Sequence, residues 1–334
     1  MVKAYVARES GSELEAYEYE AGKLGADEVE VAVQFCGICH SDLAMIDNEW
    51  GNGQYPIVPG HEVVGEITEI GSNVDRLKVG QRVGIGWQCG SCMACEWCDS
   101  GDHNLCMHMQ DTIVGHRGGF GDRIRSHWRF AIPVPESMDG EQVAPMMCGG
   151  ITVYNPLVEN NIKPGDRVGV VGIGGLGHFA LQFAKAFGCH VTAFSGSAAK
   201  EGEARELGAD TFVPNRDQHA LRDVKRSCDF ILVTAGASLP WDQYMEILRP
   251  RGRVCIVGVM TELVSVQVFN LIGGGRGIVG SPIGSPNRIR DMLSFSQANS
   301  IGAMTKRYPM EDVNHAIADL RAGKVHYRAV LENV

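Results

Sequence analysis

A chain of 334 residues, 44% of them hydrophobic, is long enough for two domains that each bury a core. Its 30 Lys and Arg against 40 Asp and Glu leave a net charge of -10 without a basic block, which argues against a nucleic-acid partner. The 42 glycines are about one residue in eight against a usual ~7%, but no Gly-X-Y period appears, so collagen is excluded and many tight turns are implied.

Met1–Val6 lacks the apolar run of a secretory signal. The charge-free stretches 142–158 and 168–184 are too short, and too broken by Gly, Pro or polar groups, to span a bilayer. The expectation is a cytoplasmic protein without a membrane partner. In that compartment an odd eleven cysteines point to metal thiolates and buried thiols over disulfides.

Residues 1–150 hold eight of those cysteines and read as short strands and loops, with Val29–Gln34 and Val63–Ile70 as alternating strands. The pattern changes after Pro164-Gly165-Asp166. Strands are expected at Arg167–Gly172, His190–Ser195, Thr211–Val213, Asp229–Val233, Arg253–Val257 and Gly277–Ser281. Helices are expected between them at Leu176–Phe187, Ala198–Leu207, Arg216–Arg226 and Trp241–Leu248. Such alternation predicts βαβ crossovers and a parallel sheet. Pro282–Pro286 reads as a boundary. Beyond it come a helix from Arg288, another over Glu311–Ala322, and a strand at Arg328–Leu331.

Gly172-Ile173-Gly174-Gly175-Leu176-Gly177 fits G-x-G-x-x-G and lies between a predicted strand and a predicted helix, the context that gives the pattern its meaning. Gly172 permits the turn, Gly174 lets backbone approach a pyrophosphate, and Gly177 lets helix and strand pack closely. An NAD site carries Asp or Glu about 20 residues on, to hold the ribose hydroxyls. Residues 191–200 contain no carboxylate; Ser195, Ser197 and Lys200 stand there instead. Two hydroxyls and an ammonium suit a 2′-phosphate, so NADP(H) is the expected cofactor. The plainer alternative has Ser197 as a helix cap and Lys200 as solvated surface.

Cys92, Cys95, Cys98 and Cys106 place four thiols within fifteen residues of a polar loop. Four sulfurs complete a tetrahedral zinc site and leave no open position, so this site is structural. A competing register, Cys89-Cys92-Cys95-Cys98, leaves Cys106 spare; the first is preferred, partly for its longer closing loop. A second, dispersed set comprises Cys36-Gly-Ile-Cys39-His40-Ser41-Asp42, Gly60-His61-Glu62 and Met147-Cys148-Gly149. Spacing alone does not join these residues.

In this order the motifs GICHSDL at 37–43, YPIVPGHEVVG at 55–65, CGGITVYNPL at 148–157, GIGGLGH at 172–178 and GSPIGS at 280–285 resemble the zinc-dependent medium-chain alcohol dehydrogenases. The resemblance covers the whole chain and is strongest to the cinnamyl-alcohol-dehydrogenase-like branch that uses NADP(H). It implies an α/β protein with a GroES-like β-rich catalytic domain and a doubly wound Rossmann domain. The expected division is 1–148 (catalytic, with the structural zinc lobe), 149–284 (Rossmann) and 285–334 (catalytic again). The implied function is hydride transfer between NADP(H) and primary alcohols or aldehydes, aliphatic or aromatic, by a homodimer with two zinc ions per chain.

Carried over residue by residue, the resemblance gives a catalytic zinc held by Cys39, His61 and Cys148, with Glu62 able to join the coordination sphere. Asp42 orients the histidine, and Ser41 passes a proton to or from the substrate oxygen. Thr152, Val257, Gly258, Ser281 and Ile283 belong with the nicotinamide end, and Cys36 has a packing role. One position departs from the pattern. Where the branch commonly carries a relay histidine, five residues after the first zinc cysteine, this chain has Ala44. Trp50 and Trp87 read as pocket walls or as packing beneath loops.

Competing readings are an NAD-dependent polyol dehydrogenase, against which the missing acid at 195 argues, and a zinc-free quinone reductase, against which Cys39, His61 and Cys148 argue. A zinc-finger-like binding module needs a basic surface, which a net charge of -10 does not offer.

Overall fold

The computed structural model describes residues 1–236, 238–260 and 262–333. Two compact units emerge: Met1–Ile151 with Ile283–Val334, and Thr152–Pro282.

The first unit is built on a seven-stranded sheet ordered Thr305–Pro309, Arg328–Glu332, Glu28–Ile38, Val63–Ile70, Arg82–Ile85, Ile132–Pro133, with Arg123–His127 also paired to Glu28–Ile38. The long Glu28–Ile38 strand organises it. Val29, Val31 and Val33 alternate into the core, where β-branched side chains fit a pleated surface. Helix Val313–Arg321 closes the core with Val313, Ala316 and Ile317, which recur at helical spacing.

The second unit is built on a parallel six-stranded sheet, ordered Thr211–Pro214, His190–Ser195, Arg167–Val171, Cys228–Val233, Leu248–Ile256, Gly277–Gly280. Strand order reverses beside Arg167–Val171, the switch point at which open α/β sheets bind ligands. The central strand is almost wholly apolar, as a strand covered on both faces must be. Helix Gly177–Ala186 buries Phe179, Ala180, Phe183 and Ala184 along one stripe.

Several elements differ from the sequence reading. Helix Arg216–Arg226 shortens to Gln218–Asp223, because Asp217 caps it through its carboxylate and Arg226 turns to a φ of 55°. The strand expected at Arg253–Val257 begins at Leu248, with a register shift opposite Cys228 and Phe230. Helix Gly149–Glu159 had no counterpart in the pattern: Gly149, Gly150 and Pro156 are poor helix formers. Burial of Ile151, Val153 and Leu157 overrides that propensity. The units divide at 151/152 and 282/283, where the sequence reading set 148/149 and 284/285.

Candidate active site

Strand Glu28–Ile38 delivers Cys39 to the N-terminus of helix His40–Ile46, where it is the N-cap residue. Asp42, in the first turn, then does three things with one carboxylate. Its Oδ2 accepts the Cys39 N–H at 2.9 Å, and its Oδ1 accepts the Gly60 N–H at 2.9 Å and lies 2.8 Å from His61 Nδ1. The helix start, the 60-turn and the imidazole are thereby fixed together. Gly60 has a φ of 99°, and a Cβ there would stand 2.6 Å from the Phe120 ring and 2.9 Å from Cys36 Sγ, so only glycine fits. Cys36 is fully buried beneath this turn and is absent from the ligand cluster below.

Cys39, His61, Glu62 and Cys148 present one ligand atom each, all within 4.8 Å of one another. His61 Nε2 and Glu62 Oε2 are buried without a hydrogen-bond partner, although such atoms are ordinarily satisfied. Two sulfurs, an imidazole nitrogen with its far side held by a carboxylate, and an adjacent carboxylate form a donor set that suits zinc. The electrostatics agree. The hydrogen bond from Cys148 holds the Cys39 thiol well below the usual range, against burial and with help from His61. The same hydrogen bond, together with burial, pushes Cys148 well up. Burial acts to lower His61, but the charge and hydrogen bond of Asp42 together with those of Cys39 outweigh it and raise the imidazole well above its usual value. Burial lifts Glu62 to about 7, opposed by Arg328.

Arg328 is the residue that sequence reasoning missed. Its guanidinium donates to Glu62 Oε1 from the first position of strand Arg328–Glu332, 266 residues away in sequence, and both groups are buried. The available signal was a lone arginine opening an apolar run. Ser41 Oγ lies 3.7 Å from Cys39 Sγ. Ala44 is buried and carries no proton-transferring group. Trp87 packs edge-on to His61 at 4.9 Å between centroids, and Trp50 packs edge-on to Trp87 at 5.8 Å, which brings both candidate walls to the histidine.

In the 92–106 loop, Cys92, Cys95, Cys98 and Cys106 converge, with Sγ–Sγ separations of 3.5, 3.6 and 3.9 Å for three pairs. Cys89 stands apart, buried, its thiol directed at the Gln110 carbonyl. The Ala94 N–H and the Cys106 thiol bring Cys92 to about 7. Cys98 also falls to about 7, where hydrogen bonds led by Ser91 overcome burial. Cys95 goes the other way: against the Cys98 backbone hydrogen bond, burial and the neighbouring thiols raise it to about 11. It is the convergence of four sulfurs that fits a closed zinc site. Ser91 Oγ lies 3.3 Å from Cys98 Sγ and 3.0 Å from His103 Nδ1, an outer support that the cysteine spacing does not reveal.

In the second unit, Gly172 has a φ of 90°, and a Cβ at Gly177 would lie 1.9 Å from the Gly172 carbonyl oxygen. Both glycines are sterically required. At Gly174 a Cβ would meet no atom within 4 Å, leaving the backbone approachable. The N-cap of helix Gly177–Ala186 is Leu176, which has no capping oxygen; the His178 N–H is taken by the Gly174 carbonyl at 3.0 Å, and the helix start is otherwise free of a side-chain cap, as suits a phosphate. Ser195 Oγ accepts the Ser197 N–H at 3.3 Å. Lys200 reaches back, and its ammonium donates to the Ile173 carbonyl of the glycine turn. The Val257 and Gly258 N–H groups both donate to the Val233 carbonyl, at 3.0 and 3.1 Å. Ser281 Oγ donates to Glu159 Oε2 and accepts from Asn155, each at 3.1 Å. Thr152 is half-buried near the start of helix Gly149–Glu159. Ile283 falls in the first unit, where its carbonyl accepts from Asn104.

Known proteins match this architecture. Residues 25–136 match the alcohol dehydrogenase GroES-like domain and residues 175–298 the zinc-binding dehydrogenase family. The aldehyde reductase AdhA of Synechocystis sp. is 46% identical over 333 residues, covering 100% of this chain and 99% of that protein. A probable cinnamyl alcohol dehydrogenase (8A) of Oryza sativa is 38% identical, with 98% and 94% covered. Among solved structures, a cinnamyl alcohol dehydrogenase of Sorghum bicolor superposes with a TM-score of 0.95 at 37% identity, covering 99% of this chain and 97% of that one. The CAD of Helicobacter pylori complexed with NADP(H) gives 0.91 at 30%, with 99% and 97% covered. The chain belongs to the zinc-containing medium-chain alcohol dehydrogenases. It is an oxidoreductase of the aldehyde reductase and cinnamyl-alcohol-dehydrogenase type. No helix among the described residues is long and apolar enough to cross a membrane.

Proposed function

We propose that the protein reduces aliphatic and aromatic aldehydes to primary alcohols with NADPH. The observation that carries this reading is the buried set of Cys39, His61, Glu62 and Cys148, with unpartnered atoms on His61 and Glu62. Cys39, His61 and Cys148 would hold a catalytic zinc, and Cys92, Cys95, Cys98 and Cys106 a structural one. A bound zinc supplies Lewis acidity toward the substrate oxygen, and NADP(H) supplies or accepts the hydride.

The remaining work belongs to the chain. Asp42 holds His61 in one tautomer and orientation. Arg328 keeps Glu62 paired and pulled to one side, so Glu62 stands near the ligands without having to join them. Ser41 hands a proton to the substrate oxygen or takes one from it. Since Ala44 cannot pass that proton onward, it leaves through a path without a side chain at position 44, such as water. Trp50 and Trp87 set an apolar, flat-sided wall beside His61, which favours aldehydes with an extended or aromatic body. Thr152, Val257, Gly258, Ser281 and Ile283 are assigned to the nicotinamide end of the cofactor, and Ser195, Ser197 and Lys200 to its 2′-phosphate end.

The domain reading is a catalytic domain split by the nucleotide-binding one. The assembly is a homodimer. Strand Gly277–Gly280 is the open end of the six-stranded sheet, and Leu263, Val268, Phe269 and Ile272 stand exposed in the segment before it.

The test is an assay of NADPH oxidation over a panel of aliphatic and aromatic aldehydes, repeated with NADH. Turnover of several aldehydes with strong preference for NADPH is expected. No turnover of any of them removes the aldehyde reading, and equal use of NADH removes the cofactor reading.

A further inference from the structure

We propose that Arg216 grips the 2′-phosphate of the cofactor and is a determinant of NADP(H) over NAD(H) binding; this rests on the NADP(H) reading above. The strand that matters ends at Ser195, where a Rossmann sheet presents its second strand to the ribose 2′ position. Ser195 is paired in parallel register with Pro214, and the Asn215 N–H donates to the Ser195 carbonyl at 3.0 Å. The chain leaving strand Thr211–Pro214 is therefore tied to the end of strand His190–Ser195. One residue later the Arg216 side chain lies over Gly196: a Cβ at Gly196 would stand 3.1 Å from Arg216 Nε and 3.7 Å from Cζ. The guanidinium thus sits on the residue between Ser195 and Ser197.

Nothing nearby neutralises it. Among the described residues no ion pair or hydrogen bond of Arg216 is seen; the other polar atom over Gly196 is the uncharged Asn215 Oδ1, 3.6 Å from the same Cβ position, and both Arg216 and Gly196 are exposed. The adjacent Asp217 is turned to another task, its Oδ1 accepting the N–H groups of His219 at 2.8 Å and Ala220 at 3.4 Å. Residues 191–200 contribute no carboxylate. Lys200, the cation that the spacing suggested for the phosphate, gives its ammonium to the Ile173 carbonyl of the glycine turn. Arg216 then adds a cation directly over the serines. Its planar fork suits two phosphate oxygens, which an ammonium contacts only as a point charge. The absence of a side chain at Gly196 lets the guanidinium lie low over the strand end.

Calorimetric titration separates this proposal from its premise. Adenosine 2′,5′-bisphosphate and adenosine 5′-monophosphate are titrated into the zinc-loaded wild type, Arg216→Ala and Arg216→Lys. The wild type is expected to bind the bisphosphate more tightly. Arg216→Ala should weaken bisphosphate binding by about tenfold or more while leaving the monophosphate within about twofold, the size of one charge-assisted contact. Arg216→Lys should recover only part of the loss. If the wild type shows no preference for the bisphosphate, the NADP(H) reading falls. If it does and Arg216→Ala keeps that preference undiminished, the assignment of Arg216 alone is overturned. Equal loss for both ligands also overturns it, because Arg216 would then serve the fold of the site and not the phosphate.

Discussion

Oδ1 of Asp42 lies 2.8 Å from Nδ1 of His61, with both side chains fully buried. The same carboxylate accepts the backbone N–H groups of Cys39 and Gly60, so it couples two ligand-bearing segments that are eighteen or more residues apart. Replacing Asp42 with Asn leaves the volume unchanged but removes the charge that favours one imidazole tautomer and makes its far nitrogen a good donor to a metal. Asp42→Asn should lower zinc affinity at this site, and with it activity, by about 10- to 100-fold. Zinc content after graded dialysis against a chelator, measured beside kcat, checks this. Full zinc retention with unchanged kcat would show that the contact is structural only.

The 92–106 loop exposes Cys92 and surrounds its four thiols with polar residues. With little apolar area of its own to bury, it depends on the metal for order. Cys95→Ser should reduce zinc from two ions per chain to one. Stability should fall on the order of 4 kcal/mol, a loss typical of a removed metal site, or roughly 10 °C in melting temperature. The contrast with Asp42→Asn is the useful part: this variant should keep the zinc at Cys39, His61 and Cys148. Elemental analysis and thermal unfolding on the same preparation distinguish the two sites.

What was legible in the sequence follows from the range of the interactions involved. The parallel strands were readable because burial on both faces demands continuous β-branched runs, as in Arg167–Val171 and Cys228–Val233. The glycine turn was readable because φ above zero and a 1.9 Å clash at Gly177 permit no other residue. The four thiols of the loop were readable because they are close in sequence. The catalytic set was not, since Cys39, His61 and Cys148 are joined only by the fold; the resemblance supplied them. Helix Gly149–Glu159 went unread because its local propensities oppose the packing that forms it. The Glu62–Arg328 pair and the Ser91–His103 support were invisible for a similar reason. A single arginine or serine carries no periodic signal, and only the folded chain shows what faces it.

A further ion pair lies away from both metal clusters. Glu30, buried on strand Glu28–Ile38, accepts from Arg125 Nε at 2.9 Å and Nη2 at 2.8 Å, and from Arg123 Nη1 at 2.7 Å. Burial acts to raise the Glu30 pKa, but the two guanidinium groups outweigh it and hold the carboxyl below its ordinary value of 4.5. A depressed folded value means that Glu30 contributes stability above the ordinary pKa, and that this contribution is lost as pH falls through the lower, folded value. Glu30→Gln should therefore be less stable than the wild type at pH 7, by about 1.5–3 kcal/mol for charged hydrogen bonds weakened together. The gap should narrow as pH falls below the ordinary carboxyl value and close once it passes the lower, folded one. Urea unfolding at a series of pH values tests both halves; a gap that stays constant into acid would show that shape, not charge, is what Glu30 provides.

The last prediction concerns assembly. Phe269 is 76% exposed and Leu263 92%, with Val268 and Ile272 also exposed beside them, more apolar surface than one short segment ordinarily leaves in water. Among the described residues the neighbouring strand Gly277–Gly280 has a hydrogen-bonded partner on one side only, Leu248–Ile256. In the proposed dimer, two-fold symmetry would let each copy offer the same open strand and apolar segment to the other. A charge placed in that segment would have to be buried unpaired on association, whereas in a single chain Phe269 touches mostly solvent. Phe269→Asp should then convert a dimer to single chains at micromolar concentration with little change in secondary structure. Light scattering coupled to size-exclusion chromatography reads the mass directly, and circular dichroism reads the fold. A variant that stays dimeric moves the interface elsewhere on the chain, and a wild type that is monomeric at the same concentration removes the dimer altogether.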